Sequence, residues 1–246
     1  MKIMIAGDLH CGSIMGLTPS QWQSKRTPVG VAQVWDWYEK TVNKIKPRIA
    51  IWNGDLIDGP GKKGAIDHIT TNLAEQRDMA IEVIETAGAL KNIFTFGTRF
   101  HVEDGEDQET LIANHFGGDI QAEQLLEIEG VRMAFRHHTG KTSIPHGQGT
   151  LIAKQLLWTV VHDLQHSDKA ADIVFRSHVH EYVDIMCGIG HAITIPALQA
   201  SGCRYGRRYF GYYHVGVLEM DIHRGNYNIN PYICDIINPR NYRKVM

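Results

Sequence analysis

A layered α/β fold with two sheets is predicted by three features of the 246-residue sequence. Short apolar runs alternate with amphipathic helical stretches through the first half, the pattern of βαβ units and a mostly parallel sheet covered by helices. The first three runs end in Gly7-Asp8, Gly54-Asp55 and Gly97-Thr98, so each strand hands over to a polar loop. The second half places shorter runs around glycine turns, which points to antiparallel hairpins and a second sheet.

Lys2 to Ala6 (KIMIA) reads as a buried strand. Thr27 and Pro28 supply an N-cap and an N1 proline for a helix in which Val31, Val34, Tyr38, Val42 and Ile45 recur at helical spacing up to Pro47. Arg48 to Trp52 is the second strand. A helix from about Thr71 carries Leu73, Ala80, Ile81 and Ile84 on one face and ends near Gly88, and Asn92 to Phe96 is the third strand. After a short helix near Gln108 to Phe116, residues 122 to 128 and 131 to 137 form strands around a Glu129-Gly130 turn. Thr150 to His166 is helical, with Leu156, Val160 and Leu164 as its buried face. Ala171 to Arg176, Tyr182 to Cys187, Ala192 to Ile195, Tyr212 to Ile222 and Tyr227 to Ile237 complete the strands. With no repeat, low-complexity tract or linker-like shift in composition, residues 1–246 are expected to form one domain.

The chain is 43% hydrophobic and 21% charged, which allows a substantial core and argues against disorder. Twenty-five Lys and Arg against 27 Asp and Glu leave a net charge of −2, too weak a field to imply nonspecific attraction to nucleic acid or membrane. Four cysteines without CxxC spacing suggest reduced thiols, and no apolar run approaches a membrane span, so a cytoplasmic protein is expected. Oligomeric state is not set by these features. What stands out is 14 histidines, a residue type suited to metal ligation and proton transfer.

An isolated Asp-x-His pair carries little weight in a chain this rich in both residues. Position adds the information. Asp8 and His10, Asp55, the Thr98 to His101 segment, His137 and His138, and His178 and His180 each follow an apolar strand, and strand ends in an open α/β sheet converge on one crevice. Imidazoles and carboxylates without cysteine suit a catalytic divalent ion better than a thiolate-rich structural zinc site. The donors are too many for one tetrahedral ion, which favours two ions sharing a carboxylate.

In their order, these residues resemble the calcineurin-like metallophosphoesterases. That family's signature runs Asp-x-His, Gly-Asp-x-x-Asp, Gly-Asn-His-Asp/Glu, a lone His and Gly-His-x-His. This chain offers Asp8-Leu9-His10, Gly54-Asp55-Leu56-Ile57-Asp58, Gly97-Thr98-Arg99-Phe100-His101, His137-His138 and Ser177-His178-Val179-His180. The resemblance covers Lys2 to about His180 and implies a two-sheet β-sandwich flanked by helices in four layers, α/β/β/α. It also implies a dinuclear centre that hydrolyses phosphomonoesters or phosphodiesters, with hydroxide activated by the ions attacking phosphorus. Asp8, His10 and His180 would hold the first ion, Asp55 would bridge, and His138 or His137 would join His178 at the second. Asp58 would stand behind the ligands. The third block departs from the pattern in a way similar to a variant subgroup with Gly-Thr-x-x-His: Thr98 stands in place of the ligand Asn, and Arg99 and Phe100 separate it from His101. Thr98, His101 or water could fill the ligand position, and His101 is favoured as the general acid.

Between His137 and His138, opposite faces of a continuing strand leave room for one inward ligand, and His138 is preferred because a small residue follows it. His178 and His180, spaced by two, would share a strand face. Manganese is the first choice of metal, with zinc, iron or nickel as alternatives. Arg99 and the Gly202 to Tyr209 loop, with Arg204, Tyr205, Arg207 and Arg208, offer guanidinium groups and rings for phosphate contact and base stacking, so a nucleotide or nucleic acid fits as substrate. A subunit-facing loop has the same composition. Two other readings remain: a noncatalytic, metal-stabilised binding protein, and a metallopeptidase using His162 and His166, whose helical spacing resembles a zinc-peptidase motif.

Overall fold

Alternation along the central strands assigns successive side chains to two different cores. The computed structural model describes residues 1–61, 67–98, 107–142, 144–165, 170–200 and 213–235. Strands β1 (Lys2–Ala6), β2 (Ile49–Asn53), β3 (Lys91–Thr95) and β4 (Asp119–Gln121) run parallel to one another. An antiparallel hairpin of β10 (Gly216–His223) and β11 (Asn226–Ile233) extends this sheet from β1, giving the order β11-β10-β1-β2-β3-β4. The second sheet contains β5 (Gln124–Ile128), β6 (Val131–Arg136), β7 (Ile173–Arg176), β8 (Val183–Cys187) and β9 (Gly190–Thr194), in the order β5-β6-β7-β9-β8.

Ile3, Ile5, Ile51 and Ile93 point from the first sheet toward Met133, Phe135, Ile173 and Phe175 of the second, and together they form the core between the sheets. Phe135 and Phe175 stack there with centroids 4.6 Å apart. The alternate residues Met4, Ala6, Ala50, Trp52 and Phe94 face outward. They are covered by α1 (Val29–Ile45), α2 (Leu73–Ala87) and α3 (Gln108–His115). On the far side, α4 (Gln148–Gln165) buries Ile152 and Leu156 against Ala134, Val174 and Ala192. The layers are therefore α/β/β/α. Among the described residues no helix is long and apolar enough to cross a membrane.

Local chemistry explains most of the boundaries. In α1 the buried Val31, Val34, Trp35, Tyr38, Val42 and Ile45 make the expected stripe, and Lys46 closes the helix in a left-handed conformation. Thr27 does not cap it; its Oγ1 accepts from Ser24 N–H, and Pro28 is the cap residue, where its fixed φ suits the helix entry. Asn72 caps α2, Gly88 ends it, and Asp107 accepts from the backbone N–H groups of Glu109 and Thr110 in the first turn of α3. Glu129 and Gly130 both have positive φ, 49° and 84°, as a two-residue hairpin turn of type I′ requires.

The expected antiparallel hairpins are β5–β6, β8–β9 and β10–β11, while β6, β7 and β9 run parallel. Two expectations need correction. Leu164 is 73% exposed, so the buried face of α4 ends at Leu156. The strand expected from Tyr212 starts only at Gly216, since Tyr213 and His214 belong to a connection.

Candidate metal centre

The carboxyl ends of β1, β2 and β3 meet the ends of β6 and β7 at one edge of the sandwich. Asp8 and His10 follow β1, Asp55 follows β2, Thr98 follows β3, His137 follows β6, and His178 and His180 follow β7. Short backbone bonds lock these loops together: Asp8 N–H donates to Gly54 O (2.9 Å), His10 N–H to Asp55 O (3.0 Å), and Ser177 N–H to His137 O (2.8 Å). Eight described residues other than glycine have positive φ, and Asp8, His10, Asp55, His178 and His180 are five of them. Such strain persists only where surroundings over-determine it and clusters at functional sites. Gly97 is obligatory, because a Cβ there would sit 2.2 Å from Asp55 N.

The side chains form two groups. Ligand atoms of Asp8, His10 and His180 lie within 4.8 Å of one another, and so do those of Asp55, His137 and His178. Asp8 Oδ1 is 3.2 Å from His180 Nε2, and Asp55 Oδ2 is 3.0 Å from His137 Nε2. The groups touch: His10 Nε2 is 4.0 Å from Asp55 Oδ2, and His137 Nε2 is 3.9 Å from Asp8 Oδ1. Asp55 therefore faces donors of both groups.

Outer contacts set the tautomers. His10 Nδ1 lies 2.9 Å from Asp58 Oδ1 and His137 Nδ1 lies 2.7 Å from Asn53 O; both oxygens can only accept, so each Nδ1 is the donor. When the rings are neutral, as ligation requires, their Nε2 atoms are left as electron-pair donors facing the centre. Thr98 N–H donates to Asp55 Oδ1, and Thr98 Oγ1 lies 3.1 Å from Asp55 Oδ2 and 3.2 Å from His178 Nδ1. Asp58 is held on its other side by His68 Nε2 at 2.9 Å.

Burial and charge act in opposition here. Burial alone would raise the Asp8 carboxyl, but His180, His137 and His10 pull it well below the usual carboxylate range. Burial disfavours charged His10 and His137, yet Asp58, Asp8 and Asp55 lift His10 well above its ordinary value, and Asp55 and Asp8 lift His137 to about 9. His178 is pushed down to about 4 by burial and by the neighbouring His137 charge, which keeps it neutral. The donor set fits divalent ions. Asp8 Oδ1 and His137 Nε2 are buried without a hydrogen bond of acceptable geometry among the described residues, and oxygen and imidazole donors without thiolate suit ions of intermediate hardness.

No family model and no curated protein matches the sequence. Solved structures match at low identity. A novel archaeal phosphodiesterase aligns over 94% of this chain and 100% of its own, with TM-score 0.51 and 14% identity. The chain has a calcineurin-like α/β sandwich fold. A single-mutant Vps29 from Entamoeba histolytica aligns over 96% of this chain and 100% of its own (TM-score 0.49, 12% identity). A predicted phosphoesterase from Streptococcus pneumoniae aligns over 94% and 97% (TM-score 0.40, 10% identity).

On this fold the expected residues separate clearly. Asp8, His10, Asp55, Thr98, His137, His178 and His180 converge, with Asp58 behind His10. The preference for His138 is reversed: His137 is buried and points at Asp55, whereas His138 is exposed and only rests against the His178 ring at 4.7 Å. The size of the following residue was no guide, because His137 is turned inward by Asn53 O. His178 and His180 do not share a strand face; both lie beyond β7 and serve different groups. His162, 67% exposed at its side chain, lies on α4 and in neither donor group. Arg99, His101, His166, Arg204, Tyr205, Arg207 and Arg208 lie outside the described residues.

Glu109 was missed. From α3 its Oε1 accepts from Leu56 N–H (3.0 Å) and its Oε2 from Gly97 N–H (2.7 Å), bracing the loops of Asp55 and Thr98. Burial, with the Asp55 charge, raises this carboxyl to about 7. His68 and Asn53 were missed as well. Only Asn53, beside Gly54-Asp55, had a sequence cue in its neighbours.

Proposed function

We propose that the chain is a phosphoester hydrolase dependent on two divalent ions. The observation that supports this reading best is the adjacency of two three-residue donor groups, with Asp55 facing both. Asp8, His10 and His180 would hold one ion, Asp55, His137 and His178 the other, and Asp55 would bridge. Manganese is the ion proposed first. When bound, two such ions polarise phosphoryl oxygens and lower the pKa of water.

The protein's own groups prepare that chemistry. Asp58 and Asn53 O hold His10 and His137 in the tautomers that present Nε2 inward. Thr98 fills the position of the missing Asn and adds a hydroxyl between Asp55 and His178. From the sequence, His101 is assigned to protonate the leaving oxygen, and Arg99, Arg204, Tyr205 and Arg207 to contact the substrate.

The test combines metal analysis with hydrolysis of p-nitrophenyl phosphate and bis(p-nitrophenyl) phosphate in Mn²⁺. Two ions per chain and turnover of at least one ester, abolished by chelation, are expected. Two ions without turnover would identify a noncatalytic metal-binding protein, and one ion bound at His162 would overturn the site assignment.

A further inference from the structure

The 177–181 loop delivers one histidine to each donor group while both of them, His178 at φ 73° and His180 at φ 57°, sit in a region that side chains avoid. A loop in this state must be held from outside. Partners are present on several sides: His178 N–H donates to Asp8 Oδ2 (3.1 Å), His214 N–H to His180 O (2.9 Å), and the Thr194 hydroxyl to Glu181 O. One partner is a charged side chain from another connection.

Lys141 lies between β6 and α4, four positions after His137. Its Nζ donates to the carbonyl of Val179, the residue between the two histidines, at 3.3 Å. It also pairs at 2.9 Å with Oε1 of Glu181, the residue after His180, and that carboxylate is only 6% exposed. The same ammonium stands 5.0 Å over the Tyr213 ring, which meets the His180 ring edge-on at 5.8 Å. A lysine ammonium has three N–H donors. A carbonyl, a carboxylate and a ring face all lie within its reach, and all belong to the histidine loop or its packing.

We propose that Lys141 is a positioning residue, whose ammonium clamps Val179 and Glu181 and thereby sets His178 and His180 in the two donor groups. The inference rests on the dinuclear reading above. It differs from the commoner role of a lysine near a phosphoesterase centre, direct contact with substrate phosphate, because the acceptors already engaged are parts of the loop. Tyr213 adds a packing contact on the His180 side of the same clamp.

The experiment compares Lys141→Met, which keeps the aliphatic stem, with Lys141→Arg and Glu181→Gln. Mn²⁺ binding is measured by titration calorimetry, and kcat and KM on an ester that the unmodified protein turns over. Loss of an outer contact of this kind costs about 10- to 100-fold in metal affinity. Lys141→Met should show that loss with kcat reduced and KM little changed, and Lys141→Arg should recover a large part of both. Unchanged Mn²⁺ affinity with a raised KM alone would make Lys141 a substrate contact and overturn the proposal, as would a Lys141→Met protein indistinguishable from the original. If Lys141→Met does not fold, Glu181→Gln, which keeps size and one acceptor, decides by the same readouts. An unmodified protein that takes up no Mn²⁺ would remove the dinuclear reading and this inference with it; normal uptake with an unaffected variant removes this inference alone.

Discussion

Asp55 shows how a single residue can join sequence signal and chemistry. Its backbone, at φ 52°, follows a strand whose apolar residues carry the folding energy, while its carboxylate faces both donor groups. Asp55→Asn should therefore cut turnover and second-ion affinity by more than about 100-fold, beyond the loss typical of outer contacts. Chemical denaturation should show a proportionally smaller loss of stability, arising from the lost pairing of Asp55 with His137. A variant retaining both ions and full activity would refute the bridging role. Thr98→Val, nearly isosteric, tests the hydroxyl at Asp55 Oδ2 and His178 Nδ1: calorimetry should show a weakened second ion, with Thr98→Ser restoring it. His101→Asn, assigned from sequence, should leave both ions in place and lose most on alkyl esters, because a good leaving group needs no proton. Metal loss in that variant would make His101 a ligand instead.

At the scale of elements, the strands are aimed by their neighbours rather than by the loops they feed. β7 is four residues long, all buried, and its Phe175 stacks on Phe135 immediately before the loop that carries His178. Phe175→Ala should cost about 3–5 kcal/mol in urea unfolding, since the sheet-to-sheet core cannot collapse around the missing ring without moving both sheets. A cost below about 1 kcal/mol would show that the site's support lies elsewhere. α3 has a second task besides covering β3: its Glu109 braces two site loops, and its N-terminus, capped by Asp107, places that carboxylate. β4, three residues long and at the sheet edge, was too short to leave a periodic signal.

Across the whole molecule, protons and the proposed metal ions would compete for the same donors. His137 in the metal-free protein is raised from an ordinary 6.5 to about 9, against burial, by Asp55 and Asp8. A histidine with a raised folded-state pKa contributes stability that is complete below 6.5 and is lost as pH climbs through about 9. Glu109, raised to about 7, acts in the same direction below that pH, because its ionisation in a buried place disfavours the folded state. The metal-free protein should therefore show a falling Tm between pH 6.5 and about 9. Ions require the neutral ring, so Mn²⁺ affinity should rise over the same interval, and binding near pH 7.5 should release protons. Thermal scans with and without chelator, and calorimetry in two buffers of different ionisation enthalpy, check both. A Tm gap between the two forms that stays constant with pH would contradict the competition.

Apolar periodicity was sufficient for the helices, for most strands and for the strand-end positions of Asp8, Asp55, His137 and His178, because burial on one face leaves a repeat in the chain itself. Glycine marked where strands give way to loops for the same local reason. Which of two adjacent histidines turns inward was beyond that logic. His137 is selected by a carbonyl 84 residues away, and His68 enters through a carboxylate ten residues before it, contacts that exist only after the loops meet. The division of His178 and His180 between two groups likewise depends on left-handed backbone conformations imposed by packing, not on their spacing. Glu109 left no pattern at all, since a carboxylate in the first turn of a helix is ordinary until its two acceptor oxygens are found on the backbone of Leu56 and Gly97. Local sequence thus determined where polar groups leave the core, and tertiary structure decided which of them face one another, because that choice is made by hydrogen bonds between segments distant in the chain.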